Sequence, residues 1–141
     1  MKNLNHILDK NGETLGIILR AEHKEEGIEF FTPDDFPQQL GYMKHKKGHK
    51  IKPHLHNKIE RTINFTFEVL FIKSGKVKVN FYNLNKEHLT SDVLKGGDVI
   101  LLAFGGHGFE ILEDAEMIEV KQGPYVGDDD KTRFDPDMSN K

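Results

Sequence analysis

Residues 48–75, GHKIKPHLHNKIERTINFTFEVLFIKSG, decide how the rest of the chain is read. On a strand, successive side chains alternate faces, so His54 and His56 would present both imidazoles on one side. That is a chelating geometry, and Pro53 stiffens the backbone just before it. Glu68 opens the apolar run Glu68-Val69-Leu70-Phe71-Ile72 and offers a hard oxygen ligand at the start of a strand. Further on, His107 stands in a glycine-rich bend, Ala103-Phe104-Gly105-Gly106-His107-Gly108-Phe109.

The bounds around this stretch are simple. A chain of 141 residues with 36% hydrophobic and 30% charged residues has the size and composition of one globular domain spanning 1–141. A net charge of -3 gives no signal for nucleic acid. There is no cysteine, which excludes disulfides, thiolate metal sites and cysteine nucleophiles, so any metal must be held by nitrogen and oxygen. Residues Met1 to His6 lack the apolar core of a signal peptide, and no apolar run approaches the ~20 residues of a membrane helix. The expectation is a cytoplasmic protein with no membrane and no nucleic-acid partner.

Outward from residues 48–75 the pattern is β throughout. Residues 1–14 are weakly patterned; Leu15 to Arg20 and Ile28 to Phe31 read as N-terminal strands joined by a turn, and Leu40 to Lys46 as a third. Strands are expected over 68–72 and 76–82, turning at Ser74-Gly75, then over 89–94 and 99–104 across the tight turn Lys95-Gly96-Gly97-Asp98. A last hairpin over 109–112 and 115–121 would turn at Glu113-Asp114, before a polar tail over 124–141 with the acidic run Asp128-Asp129-Asp130. About ten short strands at regular spacing predict an all-β sandwich or barrel.

These residues resemble the cupins, whose motifs are G-x5-H-x-H-x3/4-E-x6-G and G-x5-P-x-G-x2-H-x3-N. Gly48, His54, His56, Glu68 and Gly75 match the first motif apart from its middle, where eleven residues separate His56 from Glu68 in place of three or four. The second motif is degenerate: Gly97 is followed by Ala103 in place of proline, His107 comes one residue early, and Glu110 stands near the asparagine position. The resemblance covers about 40–121 and implies a cupin double-stranded β-helix, a jelly-roll barrel. It also points, more loosely, to small stand-alone cupins linked to bacterial surface-polysaccharide biosynthesis. It implies a divalent transition metal (Fe, Mn, Ni, Co or Zn) on His54, His56, Glu68 and His107. Such a mixed imidazole and carboxylate shell suits these ions better than magnesium or calcium. Glu60 sits at the family's usual distance from His56, but Glu68 is preferred as the carboxylate because an insertion lengthens a loop without moving Glu68 off its strand.

Around this centre, Glu60 and Glu110 are the candidate acids or bases; Glu110 could equally be a fifth ligand or the partner that orients an imidazole. Lys50, Lys52 and Arg61 are candidates for holding a small, anionic ligand. The reading these residues favour is an isomerase, epimerase or dioxygenase acting on a small polar or carbohydrate-derived substrate. The alternatives are a non-catalytic metal-containing binding or regulatory module, and a metal-free nucleotide-sugar isomerase. Cupins commonly pair through N-terminal strands, so a homodimer is expected, formed by exchange at the exposed edges of residues 15–31.

Overall fold

The computed structural model describes residues 3–136. Eight strands and one short 3-10 turn account for its regular structure: β1 (Leu4–Leu8), β2 (Thr14–Leu19), β3 (Gly27–Phe30), β4 (Gly41–Lys44), β5 (Glu68–Tyr82), β6 (His88–Lys95), β7 (Val99–Leu102), β8 (Gly106–Lys121) and η1 (Gly127–Asp130). Six strands form one antiparallel sheet in the order β1-β2-β7-β5-β6, with β8 along the other side of β5, while β3 and β4 pair separately. The sheet curls strongly into a half-barrel, an all-β architecture compatible with a β-barrel.

The curl originates in β5. Its first residues, Glu68 to Phe71, lie between β7 and β8, whereas Lys76 to Tyr82 lie between β6 and β8. Between these halves the register with β8 slips repeatedly from Ile72 to Val77. The inward positions change with it: Leu70 and Ile72 face the interior before the slip, and Val77, Val79 and Phe81 after it. An extra residue in a strand shifts the two-residue alternation by one and bends the strand. Gly75 makes this possible, with φ of 88° and a position where a Cβ would sit 2.1 Å from the Asp114 carbonyl oxygen. Ser74-Gly75 and Glu113-Asp114, expected as turns, are therefore facing irregularities in two long continuous strands.

Both faces of the β2-β7-β5 layer are buried. Leu15, Ile18, Leu70, Ile72, Ile100 and Leu102 join the interior core with Val77, Val79, Phe81 and Leu94. On the reverse side Ile17, Leu19, Leu101 and Ala103 pack against Phe31, Leu40 and Phe67. This two-sided burial explains why Val99-Ile100-Leu101-Leu102 is wholly apolar instead of alternating.

Polar chemistry pins the end of β2 to the β6–β7 turn. Asp98 is fully buried and accepts hydrogen bonds from the backbone N–H groups of Ala21 (2.9 Å) and Lys95 (2.8 Å) and from Arg20 Nη1 (3.3 Å). Arg20 spends its remaining donors on Asn5 Oδ1, the Val93 carbonyl and Asp92 Oδ1. A buried carboxylate is tolerated only when its lone pairs and its charge are both answered, as they are here.

Other expectations are corrected. Residues 4–8, read as weakly patterned, form β1 and pair with β2. The segments 15–20 and 28–31 are not partners: β2 lies between β1 and β7, and β3 pairs with β4. Residues 45–67 contain no strand, so His54 and His56 are not on one. That segment carries Lys46, Lys47, Lys50, Lys52, Lys58 and Arg61, which repel one another, and Pro53, which has no N–H for a ladder. Among the described residues no helix is long and apolar enough to cross a membrane, which says nothing of a membrane β-barrel.

Candidate functional site

The interior face of the curled sheet opens into a cleft of about 930 Å3. Strand register places its chemistry. Glu68 pairs with Lys121 and Leu70 with Glu119 along the β5–β8 ladder, so Glu68 and Glu119 are diagonal neighbours on one face. His107 lies opposite the interior residue Phe81, on that same side. Glu68, His107 and Glu119 accordingly line the cleft together with Leu70, Tyr82, Phe104 and Phe109. The C-terminal tail closes one side: residues 130–134 and Pro136 line the cleft, and the Phe134 ring meets Tyr82 edge-on at 5.2 Å. Gly106 leaves room for that ring, since a Cβ there would lie 3.2 Å from it.

The three ionisable groups form one electrostatic unit. His107 Nε2 is 3.7 Å from Glu68 Oε1, an ionic contact longer than a direct hydrogen bond. The imidazole beside it holds the Glu68 carboxyl down to about 2, against the opposing effect of burial, with a hydrogen bond from Glu119 adding to the depression. Glu119 is raised above the ordinary carboxylate value, first by that shared hydrogen bond and then by burial and the neighbouring Glu68 charge. Two carboxyls sharing a site cannot ionise independently; the one beside His107 ionises first, and its charge makes the other hold its proton longer. The pair is thus split, Glu68 ionising more readily than an ordinary carboxyl and Glu119 less readily.

The residues singled out from sequence divide in two. Glu68 and His107 are brought together in the cleft. His54 and His56 stand on the exposed segment 45–67, their rings edge-on at 5.4 Å and His54 Nδ1 3.0 Å from the Lys52 carbonyl oxygen. Lys50, Lys52, Glu60 and Arg61 share that segment and are exposed; none of them lines the cleft. Glu110 pairs with Lys78 on the opposite face of the ladder, where it accepts a hydrogen bond from Asn80 Nδ2 at 2.9 Å and lies 3.5 Å from Lys78 Nζ. Among the described residues no three His, Asp or Glu side chains are placed to hold one metal ion.

Glu119 is the residue that sequence reasoning missed. Its signal is positional: Met117, Glu119 and Lys121 alternate along one face, but only the pairing with β5 reveals that this face meets Glu68. Lys131 and Arg133, in the tail read only as polar, also line the cleft. No protein-family model, no curated protein and no solved structure matches the chain.

Proposed function

We propose that the chain is a cupin-type enzyme that moves protons on a small, polar or carbohydrate-derived, anionic substrate, as an isomerase or epimerase does. The observation that carries this is the Glu68–His107–Glu119 unit on the wall of an aromatic-lined cleft. Isomerisation and epimerisation need one group that removes a proton and another that returns one; Glu68 gives up its proton more readily than an ordinary carboxyl, and Glu119 holds its proton more tightly than one. Lys131 and Arg133 supply positive charge for a substrate anion.

The metal set His54, His56, Glu68 and His107 does not fit this arrangement of the chain. Glu68 and His107 offer one carboxylate and one imidazole, while His54 and His56 lie outside the cleft.

Incubation of the protein with a panel of sugar phosphates, nucleotide sugars and hydroxy acids in deuterated water tests the reading. Solvent deuterium should enter one C–H position of the accepted compound, with the rate falling ~10²–10⁴-fold in Glu119→Gln and in His107→Ala. Saturable binding without exchange would identify a ligand-binding module. Elemental analysis beside this, in protein purified without chelator, tests the metal set: near one equivalent of a transition metal, lost in both His54→Ala and Glu68→Ala, would establish a centre that the present arrangement does not assemble.

A further inference from the structure

Next to the cleft lies a second, smaller pocket of about 90 Å3, sharing Thr66, Asp130, Lys131 and Arg133 with it. Gln122 lines this pocket, and its amide is oriented unambiguously. Its Oε1 accepts a hydrogen bond from the Phe67 backbone N–H at 2.8 Å, which only an oxygen can do. The Nε2 amino group is consequently the other end of the amide, and it is buried with no hydrogen-bond partner. Buried donors are almost always satisfied, so an orphan of this kind marks a place where an acceptor belongs. Lys121, Lys131 and Arg133 surround the same space, and Tyr125 adds to its lining. The two carboxylates of the pocket already have partners: Asp128 lies 3.7 Å from Arg133, and Asp130 accepts from the Thr66 hydroxyl.

We propose that this pocket binds a phosphate group of the small molecule whose reacting part occupies the cleft. The inference rests on the small-molecule reading of the cleft and adds the substrate class: a phosphorylated compound. Lys121, Lys131 and a neutral amide donor, with Arg133 shared with Asp128, give the pocket more donors than acceptors, which suits an oxyanion that engages several donors at once. The small volume admits one such group. Lys121 and Lys131 also lie close enough to Glu119 to lower its proton affinity, so the anion site and the proton-transfer unit are neighbours.

The test is a titration of the full chain with inorganic phosphate, followed by the side-chain amide signals of Gln122 in a ¹H–¹⁵N spectrum. A saturable shift of those signals is expected, with acetate at least tenfold weaker. Lys131 is exposed on the tail, so Lys131→Met leaves the fold intact and should weaken phosphate at least tenfold. Gln122→Glu keeps the oxygen that Phe67 needs and replaces the orphan donor with an anion, so phosphate-induced shifts of the neighbouring backbone amides should disappear. Glu119→Gln should bind phosphate like the parent while losing deuterium exchange, which separates this site from the proton-transfer reading. No saturable shift in the parent, equal affinity in Lys131→Met and Gln122→Glu, or acetate binding as tightly as phosphate would overturn the proposal.

Discussion

At the scale of single residues, Glu68 and Glu119 make opposite contributions to the pH dependence of stability. Glu68 has a depressed folded-state value, so its contribution is present above the ordinary carboxylate value and is lost as pH falls toward about 2. Glu68→Gln should therefore cost on the order of 1–2 kcal/mol at pH 7 and much less at pH 3, the partial exposure of the site keeping the figure low. Glu119 has a raised value, so the folded state holds its proton more tightly and stability declines as pH rises through the carboxylate range. Glu119→Gln should escape that decline: relative to the parent it gains stability as pH rises above the ordinary carboxylate value. Urea midpoints across pH measure both, and parallel curves for parent and variant would refute either. Asp98 is a different case, a buried carboxylate answering Arg20 and two backbone donors; Arg20 keeps Asp92, but Asp98→Ala should cost ~2–4 kcal/mol by leaving the Ala21 and Lys95 N–H groups without an acceptor. How much of the site was legible divides along the same line. Glu68 and His107 announce themselves by residue type at strand starts and glycine bends. Glu119 does not, because its role comes from a cross-strand neighbour some fifty positions away in sequence.

At the scale of elements, the decisive feature is the irregularity shared by β5 and β8. Gly75 occupies a left-handed conformation hard against Asp114, so Gly75→Ala should destabilise by more than ~2 kcal/mol, from backbone strain together with a steric clash. A neighbouring control is Gly48, also with positive φ but with open space around it, where alanine should cost less, about 1 kcal/mol. Thermal unfolding of the two variants distinguishes them; equal losses would show that the β5–β8 contact is not what makes Gly75 special. The glycines and acidic pairs at these positions were visible in the sequence, but they have the same composition as turns. Whether such residues reverse the chain or only bend it depends on what pairs beyond them, and here β8 follows β5 past the irregularity. Segment 45–67 shows the converse. Thr62-Ile63-Asn64-Phe65-Thr66-Phe67 alternates as a strand should, yet no strand edge receives it among the described residues, and β-propensity without a partner does not make a strand.

At the scale of the molecule, the all-β architecture was legible because burial on two faces, or on one, writes itself into apolar runs and alternation. The connection order was not: β2 reaching across to β7 is a long-range choice that local pattern does not encode. A homodimer is still our expectation, though β2 is covered on both sides and cannot take part by its edges. β1 is the terminal strand of the sheet and would be the one to exchange. Light scattering should return about twice the 16.2 kDa of one chain, and a species of 16.2 kDa would remove the idea.

Segment 45–67 has one more consequence. It is almost wholly exposed and rich in lysine, so trypsin should cut it before any strand. The cut would leave β1 to β4 on one fragment and β5 to β8 on the other, yet β2 is hydrogen-bonded to β7, and both cores draw side chains from each side. The nicked protein should run as two bands under denaturing conditions and as one particle under native ones. The chain would then behave as a pair of complementing pieces, and separately expressed halves joined only by that seam would be expected to reassemble into the same cleft.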